Sequence, residues 1–223
     1  MGYYKGALRV DIDKFYTIHF GTTRPPLLKK LKFWLYHFGL HCVVIYRFGK
    51  WSRDLKRRFF PIGIPMFIIQ RFFNYYMRLM YLVEVDDADI QPGFYIGHIG
   101  TIFVGPSKIG KNFSIHHNVT IGIGHAQTAE GVPTIGDNVW IGAGSMITGA
   151  ITIGSNATVA NGCILARSIP DGCLAAGNPG RVIMKDYDNS QLLGGAAAEP
   201  KPAAESTATD EEPAGKPEAD TPQ

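Results

Sequence analysis

The chain has 223 residues and is 45% hydrophobic, which allows one or two domains with a buried core. Three cysteines, Cys42, Cys163 and Cys173, are an odd number without framework spacing; this excludes a disulfide scaffold and fits free thiols in a reducing compartment. The net charge of +3 conceals a gradient: residues 1–80 carry 15 Lys and Arg against 3 acids, residues 81–184 carry 4 against 7, and residues 185–223 carry 3 against 9.

Residues 1–84 read as a basic helical region. The opening "MGYYKGALRVDIDKF" has no apolar core of a signal peptide, so a cytoplasmic setting is expected. Pro25-Pro26 precede "LLKKLKFWLYHFGLHCVVIYRFGKW", where Leu28, Leu31, Leu35 and Phe38 fall at helical spacing. "FPIGIP" is expected to break the chain before a second helix, "MFIIQRFFNYYMRLMYLVEV". A membrane span needs about 20 apolar residues, and Arg71, Asn74 and Arg78 interrupt this one. Two readings fit the interleaved aromatic and basic residues. One is an interfacial helix at the cytoplasmic face of a membrane; the other is a helical layer packed on its own domain or on a partner subunit. The basic head suits an anionic surface or partner, with no nucleic acid expected.

Residues 85–185 carry a repeat. Aliphatic residues fall at Ile90, Ile96 and Ile102, at Ile109, Ile115 and Ile121, and then at Ile135, Ile141, Ile147, Ile153, Val159 and Leu165. The step is six except from Ile102 to Ile109, one residue longer, and from Ile121 to Ile135, eight longer. Period six is neither helical nor a simple strand alternation; it marks a parallel β-helix of hexapeptide repeats. Three hexads make a coil, and coils stack at about 4.8 Å. The eight extra residues should leave the coil as a loop near Ile123–Pro133. The remainder, residues 186–223, is acidic and rich in Pro and Ala beyond Gly194, and is expected to be disordered.

Hexads starting at Ile96, Ile115, Ile141 and Val159 should share one face. The residues two positions on, His98, His117, Ala143 and Asn161, should then form an outward column. A neutral imidazole in such a column can take a proton from an attacking alcohol. His116, one position before His117, should point elsewhere. His125 falls in the excursion loop, where it could cover a cofactor. No H-x₃₋₄-H pair adds a third ligand to His98 and His117, so no metal is expected.

"DIQPG" (89–93), "IGHIGT" (96–101), "SIHHNVTIG" (114–122), "PTIGDNVWIGAGSMITG" (133–149) and "AAGNPGRVI" (175–183) together resemble the left-handed β-helix acyltransferases, in their serine-acetyltransferase-like branch. The resemblance implies a mainly β fold, a left-handed parallel β-helix preceded by helices, and O-acetyl transfer from acetyl-CoA. It gives His98 the role of catalytic base. It matches Asp89 to the family acid that orients the base, although the segment between them is about one hexad short, so Asp86 and Asp87 are alternatives. It lays acetyl-CoA along the coil edge between two subunits of a homotrimer, beside the small Ala143 and Asn161, with Arg167 and Arg181 near the CoA phosphates and His117 near the acceptor.

The acceptor is read from departures. Serine acetyltransferases place an acid directly before the base and an Arg-His pair before the later proline; this chain has Gly97 and "GVP" (131–133). Those losses remove charges suited to an amino acid's two ends, so the expected acceptor is a sugar hydroxyl, in surface polysaccharide or glycolipid precursor synthesis and small or lipid-linked. Serine is the alternative.

Overall fold

The structure, a computed structural model, describes residues 2–85, 87–123 and 131–195. His125 and Asp86 therefore lie outside the described residues, as does the chain from residue 196 onward.

Four helices come first: α1 (Gly2–Phe20), α2 (Leu27–Tyr36), α3 (Phe38–Arg58) and α4 (Phe60–Tyr81). The long helix expected after Pro26 is two helices, because His37 leaves helical geometry at φ −98°, ψ 84°. "FPIGIP" does not break the chain. Helix α4 starts six residues earlier, at Phe60, and takes in Pro61, at its first turn where a missing N–H costs nothing, and Pro65. The break is at Phe59 instead, at φ −144°. Gly63 permits the tight α3–α4 crossing, since any Cβ there would overlap the Lys56 backbone.

Short strands then wind a left-handed parallel β-helix with three faces. One face stacks β1 (Val83–Val85), β4 (Ile102–Val104), β7 (Thr120–Gly122), β10 (Met146–Thr148) and β13 (Ile164–Leu165). The second stacks β2 (Asp89–Ile90), β5 (Lys108–Ile109), β8 (Thr134–Ile135) and β11 (Thr152–Ile153). The third stacks β3 (Tyr95–Ile96), β6 (Ser114–Ile115), β9 (Trp140–Ile141), β12 (Thr158–Val159) and β14 (Leu174–Ala176), with β15 (Arg181–Met184) folded back antiparallel on β14. All twelve aliphatic repeat positions point inward, each no more than 2% exposed. The coil begins at Val83, two residues before the sequence boundary, because β1 pairs with β4. One corner is an asparagine ladder: Asn112, Asn138 and Asn156 all lie at φ +57°, and each carboxamide bonds to the next across 3.0 Å. Asparagine tolerates this left-handed region because its side chain bonds locally.

Residues 186–195 depart from the disorder expected over 186–223. Tyr187 N–H donates to Gly172 O at 2.8 Å, and the buried Asn189 donates to Asn138 O at 2.9 Å. A short 3₁₀ turn, Gln191–Leu193, then brings Gly194 against Ile18 of α1. Asn189 satisfies carbonyls at the flank of the coil, a tertiary role that composition does not reveal.

The head is tied to the coil by buried charge. Asp11 on α1 receives two bonds from Arg47 on α3, at 2.6 and 3.1 Å, and two from the Gly93 and Phe94 N–H groups, at 2.7 and 2.8 Å. Arg47 also donates to Ile90 O and Gln91 O, and Lys14 donates to Gly93 O and Phe113 O. The three cysteines are free and buried, and burial pushes the Cys42 thiol up to about 12.

Candidate active site

The third face builds the column. Ile96 pairs with Ile115, Ile115 with Ile141, and Ile141 with Val159, so the residues two positions on are stacked. The stack is visible in its bonds: Gly144 N–H donates to His117 O at 3.0 Å, and Ala143 N–H donates to Asn161 Oδ1 at 2.9 Å. His98 is exposed at the end of this column. Its ring lies 6.0 Å from His117 in an edge-on arrangement and 5.9 Å from His116. The His117 Nδ1 atom is buried without a hydrogen-bond partner among the described residues.

His116 is where sequence reasoning failed. Its ring does not point away; it packs over Gly97, 5.0 Å from Trp140, and completes a three-histidine cluster. A Cβ at position 97 would sit 2.5 Å from His116 Cε1 and 2.7 Å from its Nδ1. Gly97 makes room for this packing: imidazole fills the space that an acid would occupy, and a side chain at 97 would displace His116. Burial, followed by the neighbouring His98 and His117, pushes His116 down to about 4, so it is neutral at pH 7.

The helical head closes the other side. Any side chain at Gly39 would overlap the Ile96 carbonyl, so α3 abuts β3 and carries the α2–α3 junction up to His98. Tyr36, His37, Phe38 and Gly39 face Gly97, His98 and Ile99 across a cavity of about 130 Å³. His37 stacks on Phe33 with centroids 4.4 Å apart. The tautomers in this corner follow from one carbonyl. His19 Nδ1–H donates to Phe15 O at 2.9 Å, so its Nε2 accepts, and His37 Nε2–H donates to it at 2.7 Å. Burial first, then the histidines around it including His98, pushes His37 down to about 4, keeping it neutral. No repeat or motif signals His37, because it meets the coil only through the packing of α3.

Asp89 does not meet His98. It lies on the second face, is exposed, and pairs with Lys50 Nζ at 3.2 Å. The missing hexad explains this: with the acid on β2 and the base just past β3, the two fall on different faces of one coil. Asp87 is exposed and lines a separate cavity with Tyr46 and Arg53. Among the described residues no carboxylate bonds to His98. Further along the column Ala143 is half-buried, and the Asn161 carboxamide folds over Gly142, leaving only its NH₂ outward. Arg167 follows β13 on the first face and Arg181 opens β15. Both are exposed at the C-terminal end of the described coil, and neither forms an ion pair among the described residues. Among the described residues, no group of three or more His, Cys, Asp or Glu is placed to hold a metal ion.

Residues 133–167 match the bacterial transferase hexapeptide family model of six repeats. With the three-faced coil, this match gives the chain the fold of the left-handed β-helix acyltransferases built on hexapeptide repeats, and makes it similar to them. Within that class it is similar to serine acetyltransferases. It is 28% identical to that of Helicobacter pylori strain 26695 over 164 residues, 73% of this chain and 91% of the relative. It is 34% identical to that of Synechocystis over 147 residues, covering 65% of this chain and 55% of that relative. The crystal structure of serine acetyltransferase from Brucella abortus in complex with coenzyme A superposes with a TM-score of 0.66 at 24% identity, over 82% of this chain and 69% of that one.

These relatives overturn the sugar acceptor and the polysaccharide setting read from the sequence. That reading took Gly97 as a charge lost from an acceptor site, whereas the His116 ring occupies the space beside it. The relatives matched are serine acetyltransferases.

Proposed function

We propose that this protein is a serine O-acetyltransferase, moving the acetyl group of acetyl-CoA to the hydroxyl of serine. The observation that carries the reading is His98, exposed at the end of the column and facing the cavity that the head closes, in a fold shared with serine acetyltransferases. His98 takes the hydroxyl proton as the serine oxygen attacks the thioester carbonyl. The C–S bond breaks as the tetrahedral intermediate collapses, and His98 returns the proton to the departing CoA sulfur. His117, beside it, contacts the acceptor. Neutral His116 and His37 flank the base without competing for its proton. The pantetheine arm runs along the column past Ala143 and the Asn161 NH₂ toward Arg167 and Arg181, with a neighbouring copy in a homotrimer closing the other wall. Buried free thiols support a reducing, cytoplasmic setting.

Thiol release from acetyl-CoA, followed while serine is titrated, tests the acceptor. The expected KM for serine is about 1 mM or below, within the usual enzyme range. Release no faster with serine than without it overturns the reading. The same assay examines the cofactor end. Arg181→Ala is expected to raise the KM for acetyl-CoA roughly tenfold, the worth of one charged hydrogen bond, with kcat nearly unchanged. Contact far from the reacting carbon binds ground and transition states alike. An unchanged KM removes Arg181 from the site.

A further inference from the structure

Helix α4 is built inside out. Its buried residues are Gly63, Gln70, Asn74 and Met77, a narrow and largely polar stripe. The opposite stripe, Ile68, Phe72, Tyr75 and Leu79, follows the i, i+4, i+7, i+11 spacing of a helical face and is 59–66% exposed. On α2, Leu28, Leu31 and Leu35 likewise face outward, at 81%, 69% and 64% exposure. An exposed apolar helix face of this kind marks an interaction site.

The charge around it indicates the occupant. From Lys14 to Val83 the chain has thirteen Lys and Arg and a single acid, Asp54, which is already paired with Arg58 at 3.1 Å. Lys56, Arg57 and Arg58 lead into α4 and are exposed, as is Arg71 at the border of the apolar stripe. A second copy meeting this face with its own would add cations to cations. A bilayer rich in anionic lipid supplies both the apolar phase and the opposite charge. No helix among the described residues is long and apolar enough to cross a membrane.

We propose that α4 is a membrane-surface anchor: the Ile68–Phe72–Tyr75–Leu79 stripe enters the headgroup–acyl boundary of an anionic leaflet, and Arg57 and Arg71 meet lipid phosphates. The anchor is independent of which acceptor the active site takes. Co-sedimentation of the full chain with phosphatidylglycerol-containing vesicles, against pure phosphatidylcholine, tests it. Binding to the anionic vesicles alone is expected, weakening in about 0.5 M salt as surface charges are screened. Arg57→Gln with Arg71→Gln should lower partitioning by roughly 30-fold, about fivefold per charge. Ile68→Glu and Phe72→Glu alter exposed side chains, so fold (by circular dichroism) and acetyl transfer should persist while vesicle binding is lost. Wild-type protein left in the supernatant with anionic vesicles overturns the proposal. So does a Phe72→Glu variant that binds vesicles as well as wild type; if it also halves the particle mass in light scattering, the face belongs to a second copy.

Discussion

His98→Ala is expected to lower turnover by roughly 10²- to 10⁴-fold, the usual worth of a positioned general base. The imidazole is exposed at the end of the column, and its neighbours His116 and His37 are held neutral by burial. Neither nitrogen cluster can replace it: His116 is packed between Gly97 and Trp140, and His37 is locked in its bond to His19. The loss should fall on kcat and on kcat/KM together, because proton removal develops only in the transition state. Coenzyme A affinity measured by calorimetry should be unchanged, since the arginines proposed for CoA lie at the other end of the coil. Turnover within threefold of wild type would assign the base elsewhere.

The second large effect is structural. Asp11→Ala is expected to destabilise the protein by about 3–5 kcal/mol in urea unfolding, the cost of leaving a buried partner charge unpaired. Asp11 is fully buried and Arg47 is 3% exposed, so water cannot substitute for the lost carboxylate. The Gly93 and Phe94 N–H groups lose their acceptor at the same time. Asp11→Ala combined with Arg47→Ala should cost less than the two single changes added together, because the second removes the orphaned charge. Additive costs would show that the two side chains do not act as a pair. Lys14 gives the cluster a pH signature. Burial holds its amine down at about 7, against the pull of Asp11, from an ordinary 10.5. The unfolded chain therefore binds the extra proton between about 7 and 10.5, and stability should rise with pH across that window. Without Asp11 the amine should lose its proton at still lower pH, extending the rise downward.

These two effects differ in how far they could be read beforehand. His98 was legible because a β-helix is a local code: each aliphatic residue sets the inward direction, and counting two places on finds the outward column. The coil, its faces and the stack from His98 to Asn161 all follow from that period; most of the expected loop near Ile123–Pro133 lies outside the described residues. Asp89 failed by the same logic, since a shortened spacing moves an acid to another face. The asparagine corners were legible as turn residues but not as a ladder, whose bonds join residues 18 and 26 apart.

The sequence by itself determined the solenoid, its register and the outward position of His98, because each hexad dictates its own turn and the coils stack without choice of partner. Only the tertiary structure decided what surrounds that histidine. Whether α3 lies against β3, whether His116 covers Gly97, and which carboxylate meets Arg47 depend on contacts between segments many tens of residues apart, with no period to announce them. The same holds for α4. Its apolar spacing indicates a helix, but packing on α3 through Gly63, Gln70 and Asn74 turns the apolar side outward.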